Sequence, residues 1–114
     1  MNNIDGDFPK KAVVLAGGKG TRLRPLTNNI PKALIDVNGK TLTEHLLDLF
    51  KKFGVKEIYL SIGYLKDKIK DYFEDGSGFG VKIHYIEENE PLGTAGPIRL
   101  AKEKFNERFF VTNG

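Results

Sequence analysis

The sequence predicts an α/β fold, a mainly parallel sheet with helices on both faces, and three observations carry that prediction. Four short apolar runs, at residues 11–15, 56–62, 81–86 and 108–112, have the composition and length of buried strands. Segments with helical apolar spacing separate them, and strict alternation of this kind favours parallel strands joined by helical crossovers. No repeat, low-complexity tract or shift in composition divides the 114 residues, a length that suits one domain.

The elements follow in order. Lys11-Ala-Val-Val-Leu15 runs directly into glycines and reads as the first strand. Residues 16–31 lack periodicity, hold three glycines and two prolines, and form a long loop, a feature that is usually functional in a compact domain. Thr41 and Glu44 have capping-box spacing. Behind them Leu46, Leu49, Phe50 and Phe53 share one helical face, and Gly54 suits the stop. After the strand at 56–62, a second amphipathic helix places Leu65, Ile69, Tyr72 and Phe73 on its apolar side, and the glycines at 76, 78 and 80 end it. Beyond the strand at 81–86, Thr94 caps a third helix that carries Ile98, Leu100, Ala101 and Phe105. In such sheets ligands bind beyond the carboxyl ends of the strands, the edge from which the loops after the first and third strands leave.

Composition excludes several classes of function. There is no cysteine, which removes disulfides, thiol nucleophiles and cysteine-held metals, and two histidines are too few for a His-built metal site. No apolar stretch is long enough to span a membrane. Met1 to Pro9 lacks the regions of a signal peptide, so a cytoplasmic protein is expected. The net charge is only +3, from 18 basic and 15 acidic residues. Lys66, Asp67, Lys68, Lys70, Asp71 and Glu74 mix signs along one helix, which reads as a solvated face rather than a nucleic-acid track.

Residues 15–27, LAGGKGTRLRPLT, are the most informative segment. Gly17, Gly18 and Gly20 follow a strand directly, where glycine permits positive φ and lets backbone N–H groups approach an anion. Lys19, Arg22 and Arg24 bring three cations to the same loop, an arrangement suited to polyphosphate. The alternative is a tight turn with solvated basic side chains. Two familiar phosphate motifs fail: a dinucleotide fingerprint needs glycine where Leu23 stands, and a Walker A loop needs it at Leu34. Gly39 and Lys40 read instead as a turn before the helix that Thr41 caps.

With Pro31-Lys32 and the string Glu90-Pro-Leu-Gly-Thr-Ala-Gly-Pro97, this loop resembles the sugar-1-phosphate nucleotidyltransferases, over residues 10–114. Within that family the look is nearest to mannose-1-phosphate guanylyltransferases. The resemblance implies a Rossmann-like three-layer α/β/α architecture, here truncated after about four strands, with residues 1–9 an N-terminal extension and residues 10–114 a nucleotide-binding half. It implies transfer from a nucleoside triphosphate to a sugar 1-phosphate, giving NDP-sugar and pyrophosphate. Arg22 matches the signature arginine that contacts the triphosphate, and Lys32 the lysine that bridges toward the α-phosphate and the sugar phosphate. Leu15, Ala16, Gly17 and Gly18 place backbone around the nucleotide, with Gly20 and Thr21 against the phosphates. Glu88, Gly93 and Thr94 fall in the base-reading segment. An ionised Glu88 accepts only, which suits the N1–H and amino edge of guanine, although uracil and thymine also offer an imide N–H. The acids at 87, 88 and 90 equally read as a solvated loop.

The resemblance also implies Mg2+ held by an Asp directly after the Asn-Gly of the fourth strand, whereas this chain ends at Asn113-Gly114. No residue present stands in as a metal ligand, and the sugar-recognition half is missing. Little or no transfer by the isolated chain is therefore expected, and self-association through the exposed sheet edge is expected with it. A non-catalytic nucleotide- or sugar-nucleotide-binding regulatory module is the alternative function.

Overall fold

In the computed structural model, the residues described are 8–19, 21–87, 95–104 and 108–113. Four parallel strands form the sheet: β1 (Lys11–Leu15), β4 (Glu57–Ile62), β5 (Lys82–Glu87) and β6 (Phe110–Asn113), in the order β5-β4-β1-β6. Their ends differ by one or two residues from the sequence-derived ranges, as frayed ends do. Two further strands, β2 (Asp36–Val37) and β3 (Lys40–Thr41), pair antiparallel as a small hairpin. Its turn places Asn38 at φ 55° and Gly39 at φ 88°, the left-handed pair that an Asn-Gly hairpin turn requires.

β1 lies between two neighbours, and Ala12, Val13 and Val14 are wholly buried on its two faces. Ala12 and Val14 join the main core with Ile58, Leu60 and Ile62 of β4. Helices α1 (Leu42–Lys52) and α2 (Lys66–Phe73) cover that face with Leu47, Phe50, Ile69 and Phe73. Val13 faces the other way, with Leu15, Tyr59 and Phe109 around it. The third helix, α3 (Ala95–Lys104), packs against β1. The chain steps from β1 to β4 to β5 in one direction and then returns across β1 to β6. With right-handed crossovers, that reversal carries α3 to the opposite face from α1 and α2. The three layers read from the sequence follow from it.

The capping box is formed: Thr41 Oγ1 accepts from the Glu44 N–H at 3.1 Å, and Glu44 Oε1 accepts from the Thr41 N–H at 3.4 Å. The α1 face differs from expectation. Thr43, Leu47 and Phe50 point inward, while Leu49 and Phe53 are 48% and 36% exposed. The helix is turned so that the 43/47/50 stripe meets the sheet. Leu49 and Phe53 fall beside it, where with Phe8, Phe50 and Phe110 they line a cavity of about 220 Å³. Phe8 meets Phe53 edge-on, with ring centroids 4.9 Å apart.

On α2, Ile69 and Phe73 are buried as expected. Leu65 instead precedes the helix in a left-handed conformation (φ 53°), and Tyr72 is an exposed ring against Phe73 and Phe79 whose hydroxyl reaches Glu44. Gly76 turns the chain out of α2 at φ 86°; a Cβ there would lie 2.6 Å from Ile83 Cγ1 and 2.8 Å from the Val81 carbonyl. Thr94, the expected cap of α3, and Phe105 lie outside the described residues.

Candidate nucleotide site

The connections from β1 and to β6 run on opposite faces of the sheet, so the crevice beyond their carboxyl ends is a topological switch point, where ligands bind in open α/β sheets. β1 ends there at Leu15, registered with Ser61 on one side and Asn113 on the other. The glycine loop starts at this edge.

The Ala16 N–H continues the ladder, donating to the Ser61 carbonyl at 2.8 Å, and the Gly17 carbonyl accepts from the Tyr64 N–H at 3.3 Å. The Ala16 amide is thus committed to the sheet rather than free for an anion. Gly18 is exposed and does not adopt a positive φ. What it supplies is room, since among the described residues nothing beyond its own chain neighbours lies within 4 Å of the place a Cβ would take. Gly20 lies outside the described residues.

The loop then forms two 3-10 turns, Thr21–Leu23 and Leu26–Asn28, on either side of a cis Arg24–Pro25 peptide. The Arg24 N–H donates to Thr21 O and the Asn28 N–H to Pro25 O. Thr21, Arg22 and Arg24 are exposed, whereas Thr27 is wholly buried and pins the return of the loop. Pro31, also buried, has extended backbone (φ −65°, ψ 149°), which a Pro favours and which delivers an exposed Lys32 at the head of a third 3-10 turn, Lys32–Leu34. Ala33 behind it is in the core.

Residues 16–32 gather four cations and hold no carboxylate, whereas four lysines elsewhere are ion-paired. Lys40 and Lys51 pair with Asp48, and Lys66 and Lys70 pair with Glu87. Those contacts hold the Asp48 and Glu87 carboxyls below their ordinary range, through hydrogen bonds from Lys40 and Lys70 first. By contrast Lys19, Arg22, Arg24 and Lys32 have no ion pair among the described residues. Four cations on one loop without carboxylates form an anion-seeking rim.

Both histidines lie elsewhere. His45 Nε2 donates to the Val37 carbonyl at 2.7 Å, an acceptor-only partner that fixes the proton on that nitrogen. His84 stacks on Tyr59 and contacts Glu57 Oε1 at 3.0 Å. Among the described residues no three His, Asp or Glu side chains converge, so these residues alone do not fit a magnesium ion. Glu88, Gly93 and Thr94 fall outside the described residues. Sequence reasoning missed Tyr64 and Lys68, whose contacts to the loop join positions almost forty residues apart. No helix among the described residues is long and apolar enough to cross a membrane.

A family model described as "Nucleotidyl transferase" matches residues 11–114. The chain is 44% identical over 108 residues to "Probable mannose-1-phosphate guanylyltransferase 1" of Oryza sativa subsp. japonica, covering 90% of this chain and 30% of that protein. It is 39% identical over 104 residues to "D-glycero-alpha-D-manno-heptose 1-phosphate guanylyltransferase" of Campylobacter jejuni, covering 91% of this chain and 47% of that one. The crystal structure of HddC from Yersinia pseudotuberculosis complexed with GMP-PN superposes with a TM-score of 0.78 at 38% identity, over 92% of this chain and 47% of its own. The chain therefore spans less than half the length of these relatives.

Proposed function

We propose a function from one premise: the chain belongs to the nucleotidyl transferase family. In this reading it supplies the nucleotide-binding part of an enzyme that transfers a nucleotidyl group from a nucleoside triphosphate to a sugar 1-phosphate. The observation that carries the reading is the unpaired cationic loop, Lys19 to Lys32, at the carboxyl edge of β1. A sugar-phosphate oxygen attacks the α-phosphorus, the bond from that phosphorus to the bridging oxygen breaks, and the electron pair leaves with pyrophosphate. The protein's task is to align two anions that repel each other and to offset charge on the transferring group. Arg22 presents a planar fork of donors to the β- and γ-phosphates, and Lys32 a point charge between the α-phosphate and the sugar phosphate. Gly18 leaves space for the phosphates to approach backbone. Leu15 to Gly17 are assigned to the nucleotide, Gly20 and Thr21 to its phosphates, and Gly93 and Thr94 to the base.

GTP is the proposed donor. The guanylyltransferase names of the relatives support it, together with Glu88 as an acceptor for the guanine N1–H and amino group. Magnesium is proposed as the cofactor, with carboxylate ligands outside the described residues. Transfer by these 114 residues alone is proposed to be slight, given the longer span of the relatives. A cytoplasmic location is proposed. Self-association is proposed through the outer edges of β5 and β6, the latter bearing an exposed Val111.

The experiment is displacement of a fluorescent GTP analogue from the chain by unlabelled GTP, UTP, dTTP and ATP. GTP is expected to displace at the lowest concentration, and Glu88→Gln to erase that preference. Equal displacement by all four would contradict the base assignment, and no binding of the analogue would contradict the function.

A further inference from the structure

The cationic loop is an arch, and one residue outside it holds both of its feet. At the first foot the Gly17 carbonyl accepts from the Tyr64 backbone N–H at 3.3 Å. At the second, the Tyr64 hydroxyl donates to the Thr27 carbonyl at 2.8 Å and lies 3.0 Å from the Asn28 carbonyl. Lys68 Nζ donates to the next carbonyl, that of Asn29. Three successive carbonyls at the end of the 3-10 turn Leu26–Asn28 are thereby met by two side chains. The arrangement has a simple origin in the chain. Tyr64 lies just before α2, separated from it by the left-handed Leu65, and Lys68 lies in the first turn, so both donors reach the loop from the amino end of the same helix. Between the two feet, bonds within the arch that carries Arg22 and Arg24 include the Arg24 N–H to Thr21 O and the Asn28 N–H to Pro25 O.

We propose that Tyr64, seconded by Lys68, is a positioning residue that holds the Arg22 arch in the shape that grips a triphosphate. This inference rests on the nucleotide-binding reading above and deepens it. Neither side chain has to touch the nucleotide. The tether fixes in advance a long loop that would otherwise be ordered at the expense of binding. Its effect should therefore fall on groups that the arch contacts, the β- and γ-phosphates, and not on the base.

The test uses Tyr64→Phe, which removes only the hydroxyl, and Lys68→Met as a second variant of similar length. The control is Tyr85→Phe, since the Tyr85 hydroxyl likewise donates to a carbonyl, that of Glu74 at 2.6 Å, but away from the arch. Calorimetric titration with GTP and with GMP gives the first readout. Tyr64→Phe is expected to weaken GTP binding roughly three- to tenfold, the worth of about one hydrogen bond, with GMP binding unchanged. Amide hydrogen exchange gives the second: the Arg24 and Asn28 amides should exchange faster in Tyr64→Phe and as before in Tyr85→Phe. Unchanged exchange at those amides would overturn the inference. So would equal losses of GTP and GMP affinity, which indicate general loosening, or an unaltered GTP affinity. A failure of the function reading looks different: the unmodified chain would then bind no triphosphate, and the inference would fall with it.

Discussion

Gly18 and Gly76 are the same residue in opposite surroundings, and their difference separates the two working parts of this molecule. Gly76 sits where α2 turns back toward β5, at positive φ, with backbone and Ile83 crowding the place of a Cβ. Gly18 sits on the rim beyond β1, without positive φ, and faces open space. The first glycine is required by the chain itself. The second has no such reason within the described residues, and in the proposed function an incoming ligand supplies one. The same division runs through the charges, because Lys51 of α1 and Lys66 and Lys70 of α2 are paired to carboxylates, while the arginines of the rim have no ion pair among the described residues.

If the division is right, substitutions in the body should move stability and leave ligand contacts alone, and substitutions on the rim should do the reverse. The largest effect is expected at Phe73, which is 1% exposed in the core beneath α2. Phe73→Ala should cost about 3–5 kcal/mol by denaturant titration, enough to threaten the fold of a chain this small. Next, Gly76→Ala should cost roughly 2–4 kcal/mol through its left-handed backbone and the clash with Ile83 and Val81. Gly18→Ala should instead shift stability by less than about 0.5 kcal/mol. It should also weaken triphosphate binding about fivefold or more, by holding phosphate off the backbone. A destabilised Gly18→Ala would break the comparison.

A smaller effect is expected from pH. Burial pushes the Glu44 carboxyl up, but hydrogen bonds from the Tyr72 hydroxyl and from Thr41 outweigh it, and the net shift is downward from the ordinary 4.5. With its pKa lower in the folded chain, the unfolded chain binds more protons just below pH 4.5, so stability falls as pH drops through that window. Melting curves of Glu44→Gln, which keeps an acceptor for the cap, should fall less steeply over the same range. The smallest effect has the opposite sign. Thr43 is wholly buried and its hydroxyl has no partner among the described residues, so Thr43→Val should be neutral or stabilise by up to about 1 kcal/mol in a chemical melt.

The body was legible in the sequence because its signals are local. Ala12-Val-Val14 read as a buried strand, Thr41 and Glu44 as a cap, and Gly39 as a turn, each within a few residues of its partners. Helix phase was less legible. Leu49, Phe53 and Tyr72 satisfy the helical spacing, but the core takes the 43/47/50 stripe with Leu46 beside it and the 69/73 pair, which no local pattern specifies. On the rim, residue types were informative, since a run of cations and glycines after a strand narrows the chemistry to anions. How the rim is held was invisible, because the Tyr64 hydroxyl reaches Thr27 from 37 positions away. Nothing in the string Ser-Ile-Gly-Tyr announces that contact.

The central claim is that the rim binds polyphosphate while the body merely supports it. Its most direct test is calorimetric titration of GTP into the unmodified chain and into Arg22→Ala, alongside the melting temperature of each. Arg22→Ala should weaken binding roughly tenfold to a hundredfold, as expected for a lost charge-assisted contact to phosphate, with the melting temperature unchanged. Equal affinity in both chains would contradict the claim, and so would a loss of affinity that only tracks a loss of fold.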